Sequence, residues 1–435
     1  MVKIIKQKQP HQTINILNKT TYRKRGRMIT IGKMPEKLQS FFKPVKKHFA
    51  KPAYNHFWAL VTAITISHAA TIGRLARTLR GSTHRTKHGE FLRHSDYDES
   101  AVTEKIALDT LRRLHIVKDQ NIFLIIDETQ TLKRAKKMDA VGSVHLHSSG
   151  TYATGHMILK ICLYYRGVTI PWGSWLYVKR EHAHRLQIPF RTMTEIAATA
   201  VRTANLPQWC NVTVLFDSFY LCPKVVNACK ERKWRYIGVA RANREFTVNS
   251  VKHKLGKYGR NVLRNNGCWH HISGIRTTKT YCLSERVGTL RKLGTVRIVF
   301  ARRKGEHEYR SLVTDDLRAN MKAIVADYLK RWSIELLIKD QKQHLGLGDY
   351  RLLRYRAVVR HLHLVDCAYA CLTHLGIRIQ RAQGQRKNAK VLRLEPVSVL
   401  KDRMRRMIWK ENVQYVIKFS HEKKVIRRLE KLLAA

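Results

Sequence analysis

Acidic residues are scarce in this chain. Aspartate and glutamate number 31 against 84 lysines and arginines, a formal net charge of +53 over 435 residues. That imbalance fits a partner that is a polyanion, bound by releasing counterions from many phosphates. Paired cysteines are also missing. Cys162, Cys210, Cys222, Cys229, Cys268, Cys282, Cys367 and Cys371 form no C-x-x-C motif. This argues against a zinc ribbon or knuckle and for incidental thiols in a reducing compartment. His145 with His147 and His361 with His363 are chance pairs to be expected among 22 histidines. Long apolar runs are absent too. The best, over residues 58–66, is interrupted by Thr62 and Thr65 and is too short to span a bilayer. No secretory h-region is visible, so a cytoplasmic protein with no membrane partner is expected. Apolar residues still make up 44%, enough for a folded protein of two or three domains.

Residues 1–35 carry nine basic side chains and no acid, and the Arg23-Lys24-Arg25 cluster beside Tyr22 reads as a phosphate-binding arm. Residues 36–118 show helical periodicity. Ile72, Leu75, Ala76 and Leu79 share one helix face, with Arg74, Arg77 and Arg80 largely off it. This resembles a helix-turn-helix element, with Arg74 and Arg77 as candidate DNA contacts. A further helix is expected over residues 100–115. The character then changes. Residues 121–126 and 212–216 are apolar runs that read as buried strands, each followed by an aspartate. Further strands are expected over 158–165, 168–177 and 236–241, with helices over 189–204 and 223–231. Strands in a run, then alternating with helices, predict a mixed α/β sheet. Residues 243–318 break the alternation as a β-rich insertion, including a hairpin of 296–303 and 309–314. One long helix is expected over 320–344. The core resumes over residues 319–378 after a first part over 119–242, and 379–435 form a basic helical C-terminal region.

Three carboxylates stand out by position: Asp127 and Asp217 at strand ends, and Glu335 within the long helix. Open α/β sheets place their sites at the carboxyl ends of strands. Phosphodiester chemistry needs hard oxygen ligands around two Mg²⁺ ions about 4 Å apart. Glu128 rivals Asp127, since it points to the other side of a continuing strand. On a continuous helix Tyr328, Arg331, Glu335 and Lys342 fall within an arc of roughly 60°. Trp332, Leu336, Leu337 and Ile338 cover much of the remaining circumference, so the polar stripe is expected to line a cleft of a largely buried helix.

The spacing Tyr328, Arg331, Glu335, Lys342 resembles the Y-R-E-K signature of DDE transposases of bacterial insertion sequences, in the insertion sequence four group. Residues 125–129 and 214–220 are similar to the same group. The resemblance spans about residues 121–348. It implies an RNase H-like core with a β-rich insertion between the second aspartate and the glutamate. It implies two Mg²⁺ ions, with Mn²⁺ as a substitute, held by Asp127, Asp217 and Glu335. Tyr328, Arg331 and Lys342 would contact the terminal phosphates. The implied partners are DNA, as inverted-repeat ends and target, and a second copy in a synaptic dimer associated with the bacterial nucleoid. Trp269 is the candidate for stacking on a flipped base. Lys133, Arg134, Lys136 and Lys137 follow Asp127 and are candidate backbone contacts. The competing readings are a catalytically silent DNA-binding regulator and another RNase H-like nuclease.

Overall fold

Twelve strands join in a single sheet whose neighbours run β2-β3-β1-β5-β6-β12-β11-β10-β7-β8, with β4 added to β3 and β9 to β10. The computed structural model describes residues 35–79, 84–116, 121–135, 137–146, 150–275, 277–384, 391–418 and 421. The basic arm, Pro35 apart, lies outside the described residues, as do Arg80 and Lys136.

Among the described residues, five helices precede the sheet. They are α1 (Glu36–Phe42), α2 (Lys51–Ile66), α3 (Ile72–Thr78), α4 (Arg85–His94) and α5 (Glu99–Arg113), with a 3-10 turn at Lys43–His48. Their starts follow local chemistry. Proline opens α2 in the first turn, where no N–H is missed. The Thr71 hydroxyl accepts from the Arg74 N–H at α3, and the Asp98 carboxylate from the Ala101 N–H at α5.

The first half of the sheet holds β1 (Asn121–Leu132), β2 (Gly142–Leu146), β3 (Thr151–Tyr165) and β4 (Val168–Leu176). Next come α6 (Arg180–Arg185), α7 (Met193–Thr203), β5 (Asn211–Phe216), α8 (Pro223–Glu231) and β6 (Arg235–Ala240). β1 pairs antiparallel with β3 and parallel with β5, and β5 pairs parallel with β6. The order β4-β3-β1-β5-β6 is consistent with an RNase H-like core. Alternation along β1 feeds two cores. Phe123 and Ile125 join the core that also takes in the N-terminal helices and the later helix α12 (Tyr355–Ala382), whereas Ile122, Leu124 and Ile126 join the one that takes in α7 and α8.

The segment expected as an insertion contains β7 (Glu245–Val248), β8 (Val251–Lys254), α9 (Leu255–Asn266), β9 (Cys268–Ser273), β10 (Thr278–Leu290), β11 (Gly294–Arg303) and β12 (Tyr309–Thr314). The hairpin of β11 and β12 forms, and β12 pairs with β6, so these strands extend the core sheet. The α9 helix was not expected. Glycines at 256 and 259 disguise it, and Gly259 is needed because a Cβ there would lie 2.6 Å from the Phe300 ring.

Two helices replace the expected long one: α10 (Met321–Leu329) and α11 (Trp332–His344). Between them the N–H groups of Lys330, Arg331, Ser333 and Ile334 bond three residues back rather than four, at 2.9–3.1 Å. The backbone stays right-handed but tightens there. The chain ends its described part with α13 (Val397–Lys418).

The central helix α12 is buried from Ala357 through most of its length, and α2, α4 and α5 pack against it. Arg360 ties these parts together. It donates to Glu99 at 2.5 Å and to the Phe91 and Leu92 carbonyls at 3.1 Å each, and it also reaches the Ser95 carbonyl. Those carbonyls lie at the end of α4, so a cation satisfies orphan acceptors and the helix dipole together. Among the described residues, no helix is long and apolar enough to cross a membrane.

His374 on α12 stacks on Phe41 with centroids 4.9 Å apart, and neither ring nitrogen finds a partner. Burial, then Arg113, Arg378 and Arg381, push its pKa down to about 3. A histidine neutral in the fold and charged when unfolded withdraws stability as pH falls from 6.5 towards that value. We expect His374→Phe to gain about 2 kcal/mol over wild type at pH 5 relative to pH 7 in urea unfolding. An equal difference at both values contradicts this.

Candidate active site

The register of β1 and β5 sets two carboxylates side by side. Their last parallel pair is Ile125 with Leu215. Asp127 and Asp217 each follow two residues later, so both leave the same face, the one that carries Ile125 and Leu215. Asp127 does not close its strand as expected. β1 runs on to Leu132 because β3 pairs with it throughout, and only its pairing with β5 stops. Asp217 does follow the end of β5, where the Phe219 N–H donates to Oδ1 at 2.9 Å.

Glu335 arrives on the first turn of α11, which packs against β1, β3 and β4. Arg331, in the tight turn before it, joins the two sides. Its guanidinium donates to Asp127 Oδ2 at 2.9 Å and also to Glu335 Oε1. Asp127 and Glu335 thus meet through one cation. Glu128 points to the opposite face, towards Tyr220, as alternation requires.

Burial pushes Asp127 up to about 6, with Asp217 and Glu335 adding to the rise and Arg331 and the Glu128 N–H opposing it. Burial likewise pushes Glu128 up to about 7. For Arg331, burial works against the charge, but Tyr328, Asp127 and Glu335 outweigh it and raise its pKa. Tyr328 is buried at the end of α10, and burial raises its phenol. Lys342 is exposed and lines an open hollow of about 360 Å³ with Asp127, Glu128, Glu335 and Lys339.

Other expected contacts are distributed differently. Lys133 is a correction: its ammonium is buried, donates to the Gly348 and Tyr350 carbonyls at 2.7 and 3.1 Å, and sits 3.3 Å above the Tyr350 ring. Its charge is spent on fixing the loop after α11 to the end of β1. Arg134 and Lys137 are exposed near it. Arg74 and Arg77 are exposed on α3. Trp269 is 52% exposed on β9, with the Arg302 guanidinium 5.9 Å from its ring centroid. Trp332 was expected among the buried residues of its helix but is 56% exposed. The turn before α11 rotates it out, and it lines a cavity of about 680 Å³ with Tyr328, Tyr281, Arg303 and Arg310.

Sequence reasoning missed the support beneath the carboxylates. Lys160 is the cross-strand neighbour of Asp127. It is fully buried and pairs with Asp366 of α12 at 2.5 Å and with Ser174 at 2.6 Å. Gln341 of α11 donates to the same aspartate at 2.8 Å, and Ser174 does so at 2.5 Å. The signal was available: a lysine inside the apolar run of β3 and an aspartate inside the apolar run of α12.

Among the described residues, no three His, Cys, Asp or Glu side chains stand close enough together to share a metal ion. The donor chemistry nevertheless suits a hard divalent cation, and the guanidinium between two carboxylates stands where such a charge would lie.

Known proteins bear on this geometry. A Transposase DDE domain family matches residues 183–371, which include Asp217 and Glu335. A DDE superfamily endonuclease family matches residues 58–273, which include Asp127 and Asp217. A probable transposase for insertion sequence element IS701 from Microchaete diplosiphon is 24% identical over 262 residues, or 56% of this chain. These matches support a DDE transposase. The chain spans 63% of the length of that relative. The mixed α/β sheet is consistent with a DDE, RNase H-like endonuclease domain.

Removing one partner of the buried Lys160–Asp366 pair strands the other. Lys160→Met is expected to cost about 3–5 kcal/mol in denaturant unfolding, and Lys160→Met with Asp366→Leu clearly less. Additive losses would show that the two charges do not depend on each other.

Proposed function

We propose that this protein is an insertion-sequence transposase of the insertion sequence four group. In this reading it binds the inverted-repeat ends of its element and catalyses Mg²⁺-dependent cleavage and strand transfer into target DNA. The observation that carries the reading is the Arg331 contact to both Asp127 and Glu335, beside Asp217.

Asp127, Asp217 and Glu335 would hold two Mg²⁺ ions, with Mn²⁺ as a substitute. Ions held there would supply the charge that activates an attacking oxygen and stabilises a leaving one. The chain's own residues do the rest. Tyr328, Arg331 and Lys342 would form the Y-R-E-K set and hold terminal phosphates, the guanidinium through its two-pronged geometry. Arg134 and Lys137 would follow the backbone near the metals, and Arg74 and Arg77 would read DNA from α3. Trp269 would stack on a displaced base. The N-terminal helices would act as the DNA-binding part, and a second copy would complete the synaptic complex. The site of action would be the nucleoid, in the cytoplasm.

The test is cleavage, in Mg²⁺, of a duplex carrying the element's own end. Glu335→Gln keeps the shape and removes one metal-binding charge. It should bind the duplex as wild type does while cleavage falls by on the order of a thousandfold. Equal cleavage by both proteins removes Glu335 from the site. Binding without cleavage by wild type turns the reading to a DNA-binding regulator.

A further inference from the structure

Arg331 does more here than wait for a phosphate. Its side chain is 14% exposed, and it engages Asp127 and Glu335 at once. Arginine cannot shed its proton, so an incoming cation must displace the whole group. Without it, carboxylates from β1 and α11 would face each other, with Asp217 adjacent, and repel. The guanidinium therefore both assembles the carboxylates and fills the space between them. Its backbone lies in the tight turn between α10 and α11, at the edge of both helices. The side chain can leave without unwinding either one.

Resting on the transposase reading, we propose that Arg331 is a resident counter-ion that bars divalent metal from Asp127 and Glu335 until a DNA phosphate takes the guanidinium. The same fork that grips carboxylates fits a phosphodiester. Transfer of the guanidinium to a DNA phosphate frees both acids for metal, and the divalent charge replaces the one that left. Metal and DNA ends then favour each other's binding by the same factor. The protein free of DNA keeps its nuclease centre disarmed.

The test measures metal binding rather than activity. Full-length wild type, Arg331→Met and Arg331→Lys are titrated with Mn²⁺ without DNA, with free Mn²⁺ read by electron paramagnetic resonance. Arg331→Met should bind Mn²⁺ roughly tenfold tighter than wild type or better, with Arg331→Lys between them. Melting of each variant like wild type shows that a gain does not come from damage. Adding the duplex that carries the element's end should tighten Mn²⁺ binding to wild type much more than to Arg331→Met. If Arg331→Met melts like wild type and binds Mn²⁺ no tighter, the proposal is wrong. If it melts early, Arg331→Gln takes its place, and tighter or unchanged Mn²⁺ binding decides in the same way. A separate control guards the functional reading. Asp127→Asn or Glu335→Gln in the Arg331→Met background should abolish the tight site. If neither weakens it, these carboxylates are not the metal site, and the functional reading falls with the proposal.

Discussion

A lysine and an aspartate buried together hold this site in place. Lys160 and Asp366 are fully excluded from water, and each alone would be prohibitive there. Together with Ser174 and Gln341 they form a hydrogen-bonded network that joins β3, β4, α11 and α12. The network lies directly across from Asp127 in the sheet. It therefore fixes α11, and with it Glu335, against the strand that carries the first carboxylate. Leu337 and Ile338 bury apolar surface on the same helix, and these directional bonds act as a key that sets its position.

Around that key the molecule tightens by similar means. Arg360 closes the end of α4 and stacks 4.9 Å from Tyr97, which binds the N-terminal helices to α12. Lys133 closes the loop after α11, where Gly346 adopts φ +67 and a Cβ would lie 2.6 Å from Ala70. A chain with an excess of cations thus uses several of them internally, against carbonyls and buried acids. Others, such as Arg74, Arg77, Arg134 and Lys137, are exposed, where a polyanion can meet them.

Much of the fold was legible because apolar runs and alternation are strong signals. The strand that carries Asp127 and the one that precedes Asp217 are legible in the runs of residues 121–126 and 212–216, and their parallel pairing carries the two aspartates level. The meeting of Asp127 with Arg331 was not legible, since 204 positions separate them and no local pattern encodes the contact. The break between α10 and α11 was hidden because Lys330 and Arg331 are good helix formers. It changes which residues face out, and Trp332 escaped burial for that reason. The β-rich segment reads as an insertion in the α/β domain because its composition differs, and pairing between β6 and β12 joins its strands to the core sheet.

The proposed mechanism rests on Asp127, Asp217 and Glu335 converging on one metal-binding place. The most direct measurement substitutes Fe²⁺ for Mg²⁺ in the presence of the element's end, with ascorbate and peroxide, and maps where the polypeptide breaks. Cuts are expected to cluster near residues 127, 217 and 335 and to be suppressed by excess Mg²⁺. Cuts confined to other sites, or unaffected by Mg²⁺, would contradict that convergence.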